Sequence, residues 1–177
     1  MKKLSIFFIG LFLISCSYSG VIKEKDSFTG KETICIPSMV LALSTGPFKK
    51  DYRVNFSACK TSDSENILVT VKYHGPDWIF INEKDSLQIK LDSGTVAYSG
   101  KKSFTEIKVN AAIMESANYI VKRDFFENIL TNKNQPVVGR LYGSKNYVDL
   151  DLFSSDINKQ VFQNFLNSID GKPVQDL

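Results

Sequence analysis

The fold class is indicated by a stretch near the middle of the chain, ILVTVKY, residues 67–73. Apolar or aromatic residues at every second position alternate with more polar ones, which is the period of a half-buried β-strand. A polar turn at residues 61–66 precedes the stretch, and His74-Gly75-Pro76 ends it. The stretch therefore predicts one strand of a sheet that buries a single face.

The segments on either side of this strand repeat its pattern. A hairpin is predicted to fold about the turn Ser44-Thr45-Gly46-Pro47, with Ile34, Ile36, Val40 and Ala42 on one side of its first strand and Val54, Phe56 and Ala58 on one side of its second. Further strands are expected at Leu87–Leu91, at Thr95–Ser99 after the turn Asp92-Ser93-Gly94, at Phe104 to about Asn110 and at Ala117–Val121. Val137–Tyr142 and Tyr147–Leu152 predict one more hairpin.

Two segments change to a helical period. Phe125, Phe126, Ile129 and Leu130 predict a short helix that ends before Pro136. A C-terminal amphipathic helix is predicted from Ile157, Val161, Phe162, Phe165, Leu166 and Ile169, with Ser154 or Ser155 as its N-cap and Gly171 then Pro173 past its end. The fold class is therefore α+β: a single domain, residues 32–177, in which both helices pack on one face of a twisted antiparallel sheet made of hairpins and a meander.

The first residues have the pattern of a secretory signal. Lys2 and Lys3 precede an apolar run, Leu4–Ile14, that is interrupted only by Ser5 and Gly10. This run is shorter than the roughly 20 residues that a membrane-spanning helix needs. Residues 1–15 are therefore predicted to be a signal peptide, and the alternative is a buried N-terminal strand or helix.

The end of this leader resembles the lipobox of bacterial lipoproteins, in the form Leu13-Ile14-Ser15-Cys16. The resemblance implies cleavage before Cys16, diacylation of its thiol and usually a third acyl chain on the new amino group. Two or more acyl chains give durable membrane attachment. Ser17 stands where an aspartate would favour the inner membrane, so the resemblance implies the outer membrane, facing the periplasm.

The residues after Cys16 and the overall charge indicate which classes of binding partner to expect. Residues 16–31 are polar and contain Gly20 and Gly30, so they are predicted to form a lipidated N-terminus and tether. The chain has 22 Lys and Arg against 19 Asp and Glu, and the leader carries two of the lysines. Without the leader the chain is nearly neutral, which gives no argument for binding nucleic acid. The expected partners are the membrane, through the lipid anchor, and an envelope protein.

Two cysteines remain besides Cys16, and both lie in the first predicted hairpin. Cys35 and Cys59 are equidistant from Pro47, so folding about that turn places them opposite each other on adjacent strands. In an oxidising compartment they are predicted to form a disulfide. The alternatives are two free thiols or a metal pair, although zinc would need further Cys or His ligands and the chain has one His.

The sequence offers few candidates for catalysis. His74, the sole imidazole, stands before a Gly-Pro turn, where a turn histidine is the ordinary interpretation. The glycines form no phosphate-binding motif, and no cofactor is expected. Asp149 and Asp151 share one face of a predicted strand and are the only carboxylate pair available for acid-base work or a loose cation site. A solvated strand face is the ordinary interpretation of this pattern.

The aromatic residues are interpreted mainly as core. The 13 phenylalanines suit a hydrophobic core, although Tyr147 and Trp78 could line a pocket. Asp77–Asn82 is read as a tryptophan packed at a strand start that leads into a hairpin. With Asp26–Lys31 and the last helix, it is similar to small uncharacterised exported bacterial proteins, which implies no activity.

These features together predict a non-enzymatic binding or interaction module, held by lipid in the bacterial envelope. Two alternatives stay open at this point. One is an inhibitor or phage-exclusion factor of the envelope, and the other is a hydrolase that depends on Asp149 and Asp151.

Overall fold

The computed structural model describes residues 20–43, 52–107, 113–133, 137–153 and 155–177. These ranges contain ten strands and two helices: β1 (Ile22–Lys25), β2 (Glu32–Leu43), β3 (Arg53–Thr61), β4 (Ile67–Gly75), β5 (Leu87–Leu91), β6 (Gly94–Tyr98), β7 (Gly100–Ile107), β8 (Ile113–Val121), α1 (Asp124–Thr131), β9 (Val138–Tyr142), β10 (Tyr147–Asp151) and α2 (Asp156–Ile169). Several predicted features lie outside the described residues: the signal peptide, Cys16, the turn at 44–47, the end of the strand predicted near Asn110, Pro136 and Ser154.

The strands form two antiparallel sheets. The larger sheet has six strands in the order β1-β2-β3-β4-β8-β7, and the smaller has four in the order β10-β9-β5-β6. Only Ser99 separates β6 from β7, so the chain passes from the edge of one sheet directly to the edge of the other. The α+β class predicted from the sequence is confirmed, with its strands divided between two sheets.

The core lies between the inward faces of the sheets and the two helices. On β4 the predicted alternation is confirmed, because Ile67, Val69 and Val71 are fully buried and Tyr73 nearly so. The rings of Phe56, Phe126 and Phe162 lie 5.3–6.3 Å apart and join β3 to both helices. Burial of each such side chain contributes about 1.5–3 kcal/mol, so this cluster helps to hold the sheet and the helices together.

The predicted C-terminal helix is confirmed as α2. The Ser155 side chain accepts a hydrogen bond from the Asn158 backbone N–H, and Gly171 follows the helix with φ +68°.

One residue of its predicted apolar stripe is misplaced, because Ile157 is 56% exposed. That side of α2 is covered by residues 173–177, whose backbone carbonyls accept hydrogen bonds from Asn167, Asn164 and Gln160. Ile157 lies about one turn beyond Gln160 and is not covered.

The predicted facing of β2 is wrong beyond Ile36. Met39 and Leu41 are buried there, whereas Val40, which was assigned to the buried side, is only half-buried. The register with β3 shifts between Ile36 and Met39. Pro37 lies in this shift and has no N–H to donate, and the irregularity reverses the alternation of side chains.

The predicted tether is partly folded. Residues 22–25 form β1, which pairs with β2, so the domain begins well before residue 32. Gly20 has φ +72° and is buried: a Cβ at this position would lie 2.5 Å from Val161 Cγ2 and 3.0 Å from Leu177 Cδ1. Only glycine fits this contact, which holds residue 20 beside both α2 and residue 177.

Candidate functional site

The predicted disulfide is present. Cys35 and Cys59 are directly opposite on β2 and β3, with their Cα atoms 4.2 Å apart, and are bonded through their sulfur atoms. Both are half-buried and lie on the outer face of the six-stranded sheet. The bond therefore links two strands on the side of the sheet away from the core.

His74 is placed within β4, opposite Arg53 on β3 and Met114 on β8, and is half-buried. His74 therefore lies within the hydrogen-bonded part of β4, and not in the turn where the sequence placed it. Within the described ranges no three His, Cys, Asp or Glu side chains converge as a metal site would require.

The two predicted carboxylates lie on the outer face of β10, with Val148 and Leu150 buried on its other face. Asp149 Oδ1 accepts a hydrogen bond from Arg140 Nε at 2.6 Å. Asp151 Oδ1 instead accepts one from the Phe153 backbone N–H at 3.1 Å. The pair shares a face as predicted, but each carboxylate is bound by a different partner.

Arg140 is the centre of a cluster on the outer face of the four-stranded sheet. Besides its ion pair with Asp149, its Cζ lies 4.0 Å from the ring centroid of Tyr147 and 5.7 Å from that of Tyr142. Its Nη1 lies 3.4 Å from the Tyr142 hydroxyl. These hydrogen bonds, to Asp149 first and then to Tyr142, raise the pKa of Arg140 above its usual range. A cation is thus held against two aromatic rings at the surface.

A groove of about 220 Å³ opens beside this cluster, and we call it the outer-sheet groove. Its walls come from β5, β6, β9 and β10, namely Gln88, Lys90, Thr95, Val138, Gly139, Arg140, Tyr142 and Asp149. Sites for small ligands are commonly about 300–1,000 Å³ and enclosed. This groove is smaller and open, so it suits one or two protruding side chains of a partner better than an enclosed small molecule.

A buried carboxylate, that of Glu115, explains the stretch Asp77–Asn82. Glu115 on β8 is fully buried, and its Oε1 accepts hydrogen bonds from the backbone N–H groups of Ile79 and Phe80 at 2.8 and 3.0 Å. Its Oε2 accepts one from Ile81 at 2.9 Å. The carboxylate therefore accepts hydrogen bonds from three consecutive backbone N–H groups, in the way that the carbonyl groups of a neighbouring strand would.

The prediction that Trp78 packs at a strand start is accordingly wrong. The chain around it is an irregular loop with a single bridge from Ile81 to Gly143, and Phe80 has φ +56°. Trp78 is half-buried and stacks on Phe80 with ring centroids 5.4 Å apart. The three hydrogen bonds to Glu115 hold the backbone in this loop conformation.

Arg140 and Glu115 were not among the candidates from the sequence. Arg140 could have been found, because the four-residue turn after Tyr142 pairs that residue with Tyr147 and hence Arg140 with Asp149. Glu115 carries one signal, a charged residue at an inward position of β8, but the strand was predicted to begin only at Ala117.

Comparison with known proteins finds no family, no curated protein and no solved structure that matches this chain. In the part of the chain that the structure describes, no helix is both long enough and apolar enough to cross a membrane.

Proposed function

We propose that the protein is a lipid-anchored, non-enzymatic binding module of the bacterial cell envelope. The anchor is Cys16, the membrane is the outer membrane on its periplasmic side, and the binding surface is the outer-sheet groove. The lipobox-like sequence Leu13–Cys16 supports the anchor. The disulfide between Cys35 and Cys59 is in keeping with an oxidising compartment such as the periplasm.

The observation that carries the binding proposal is the arrangement of Arg140. Its guanidinium is already held by Asp149 and the two tyrosine rings, so little of its side-chain freedom would be lost on binding. Arg and Tyr are also the residue types that dominate protein-protein hot spots. Val138 and Tyr147, 41% and 47% exposed, add apolar surface beside the cation.

The chemistry of the groove favours a protein partner with an acidic side chain. Arg140 and Lys90 supply two cations, whereas Asp149 is already paired with Arg140. Gln88 and Thr95 add hydrogen-bonding groups to the lining of the groove. A carboxylate placed between Arg140 and Lys90 would complete the electrostatic balance of this surface.

Crosslinking in intact cells tests the binding surface. A photoreactive residue at Val138 is expected to give one protein adduct of defined mass, and Arg140→Gln in the same chain is expected to reduce its yield at least tenfold. The matched control places the photoreactive residue at Lys72, which is exposed on the outer face of the other sheet. An adduct that persists in Arg140→Gln, or that forms equally from Lys72, would contradict the proposal.

Metabolic labelling tests the anchor separately. Labelled palmitate is expected in the protein and to be absent from the Cys16→Ser variant, which should no longer fractionate as the processed, membrane-held form. Intact mass of the purified protein reports cleavage and acylation together. Unlabelled protein with an unmodified Cys16 would contradict the lipoprotein assignment, but it would not affect the proposal that the outer-sheet groove binds a partner.

A further inference from the structure

The turn between β1 and β2 presents an aromatic side chain to solvent. Phe28 is 97% exposed, the largest exposure among the large apolar side chains of the described residues. Its turn is nevertheless well organised: Asp26 Oδ1 accepts hydrogen bonds from the Phe28 and Thr29 backbone N–H groups at 2.8 and 3.2 Å, and Gly30 N–H donates to the Asp26 carbonyl at 2.8 Å. The hydrogen bonds to the carboxylate, first that from Phe28 and then that from Thr29, lower the pKa of Asp26. The hydrogen-bonded turn therefore holds the Phe28 ring toward solvent.

A second apolar feature lies at the same end of the six-stranded sheet. Ile22, Cys35, Cys59, Leu68 and Ile120 are consecutive cross-strand partners from β1 to β8, so they form one row on the outer face. Ile22, Leu68 and Ile120 are 41%, 45% and 70% exposed. The turn that carries Phe28 projects past this end, beyond the last β2–β3 pair, Thr33 and Thr61. Clustered exposed apolar surface marks a contact site more often than isolated residues do.

The chain length before β1 indicates what covers this end. Gly20 is fixed against Val161 and Leu177, and four residues separate it from Cys16, which spans at most roughly 14 Å. From Gly20 along β1 to Phe28 is at most roughly 26 Å at strand rise. An acylated Cys16 would therefore hold Gly20 within roughly 14 Å of its bilayer. Phe28 and the anchor reach the lipid together when β1 lies along the bilayer surface, with the outer face of the six-stranded sheet turned toward it.

We propose that the β1–β2 turn is a membrane-insertion element, in which Phe28 enters the lipid interface and the row from Ile22 to Ile120 adjoins the bilayer surface. This inference rests on the proposed anchor at Cys16, because the anchor supplies the bilayer. Full burial of a phenylalanine side chain is worth roughly 10- to 150-fold in partitioning, and acyl anchors become durable when a second membrane contact is added.

The charges around the turn indicate that the contact depends on the aromatic ring and not on lipid charge. Lys25 and Lys31 flank the turn, but Asp26 and Glu32 follow them directly, and Lys31 forms an ion pair with Asp63. The local charge is therefore balanced. Association is expected to be equal on neutral and anionic bilayers and insensitive to salt.

Fluorescence quenching by brominated lipid tests the insertion in the full chain purified from bacterial membranes. Phe28→Trp and, as a matched control, Tyr147→Trp are each made in a Trp78→Phe background, which removes the sole native tryptophan. Tyr147 is 47% exposed on the other sheet. In phosphatidylcholine vesicles, Phe28→Trp is expected to lose at least half of its emission and Tyr147→Trp less than a tenth.

The outcomes separate this inference from the proposed function. Intact mass of the same preparation reports acylation of Cys16. Acylated protein without quenching of Phe28→Trp would overturn the insertion and leave the anchor standing. If Cys16 is unmodified, the anchor proposal fails, and quenching on added vesicles still decides the insertion. Quenching that needs anionic lipid and disappears in high salt, or that is absent from pure lipid because the turn binds a protein, would also overturn it.

Discussion

At the scale of single residues, Glu115 fixes the conformation of the loop that carries Trp78. Its buried carboxylate accepts hydrogen bonds from three consecutive backbone N–H groups, those of Ile79, Phe80 and Ile81. Hydrogen bonds to a charged acceptor are roughly twice as strong as neutral ones, and they offset the cost of burying the charge. The conformation of the Trp78 loop therefore depends on a side chain from a different strand.

Glu115→Gln is expected to lower the free energy of unfolding by about 2–3 kcal/mol. The amide keeps the size of the side chain but replaces one acceptor oxygen by a donor that faces a backbone N–H. Urea denaturation followed by circular dichroism measures the change. The control is Glu65→Gln at an exposed position, where no change is expected. Equal stability of both variants would show that the carboxylate is not what holds the loop.

The pair of Arg140 and Asp149 is expected to contribute little to stability, in contrast to its proposed role in binding. Both side chains are substantially exposed, at 37% and 54%, and exposed ion pairs are worth at most about 1 kcal/mol. A double-mutant cycle of Arg140→Gln and Asp149→Asn in urea measures the coupling. A coupling well above 1 kcal/mol would assign the pair a structural role instead.

At the scale of elements, β2 and β3 are held together by more than their ladder. The disulfide closes a loop with a sequence separation of 24 residues. In the chain-entropy account, such a bond restricts the unfolded chain and contributes about 3 kcal/mol. Because the disulfide lies on the sheet face away from the core, the packing of Phe56 and its neighbours does not depend directly on this bond.

The double variant Cys35→Ser, Cys59→Ser is therefore expected to fold with its core intact but with about 3 kcal/mol less stability. Urea denaturation measures the loss, and near-ultraviolet circular dichroism reports the aromatic core. Reduced wild-type protein is the control and should match the variant. If the variant and the oxidised wild type unfold at the same urea concentration, the bond contributes nothing.

Elements with a clear period were predictable, and those shaped by distant residues were not. The alternation of β4 and β5 and the stripe of α2 depend on neighbouring residues, so their existence and approximate bounds follow from the sequence. β1 was missed because all four of its residues, IKEK, are exposed and show no buried side. The loop at Trp78 depends on Glu115, 34 to 36 residues away, which no local pattern reveals.

The same distinction holds for the candidate site. Asp149 was found because its strand alternates, and the pairing of Cys35 with Cys59 was found because both lie equally far from a turn. The outer-sheet groove was not found, because its walls come from two hairpins, β5–β6 and β9–β10, that are distant from each other in the sequence. Phe28 was noticed only as part of a stretch, since exposure of an aromatic ring is visible only in the folded protein.

At the scale of the whole molecule, the two sheets are joined as one unit. Ser99 alone separates β6 from β7, and the Gly100 N–H donates to the Glu83 carbonyl at 2.7 Å. Tyr119 on β8 is fully buried, and its hydroxyl forms a 2.9 Å hydrogen bond with that of Ser86, next to β5. A single cooperative unfolding transition is expected from these links.

Tyr119 predicts a specific loss of stability in alkali. Burial raises the pKa of Tyr119 to about 12, against about 10 in the unfolded chain. The folded state thus keeps the phenol protonated, so this contribution is complete below pH 10 and disappears as the pH rises through 12. Stability is expected to fall by about 3 kcal/mol over this range from this group.

Urea denaturation at pH 9 and pH 12 measures the difference. The control is the double variant Tyr119→Phe, Ser86→Ala, which removes both hydroxyls and leaves neither unpaired. It is expected to lose about 3 kcal/mol less than the wild type between these two pH values. Identical losses would show that Tyr119 does not resist ionisation in the folded protein.

The contact of Gly20 with Val161 and Leu177 has a practical consequence for work in cells. Since residue 177 lies beside residue 20, anything fused behind it starts close to the point where the chain would descend to an acylated Cys16, a reach of roughly 14 Å. A fluorescent tag attached there would report on the lipid surface and could obstruct it. Labels intended to leave the attachment undisturbed belong at a position away from residue 177 and from the outer-sheet groove instead.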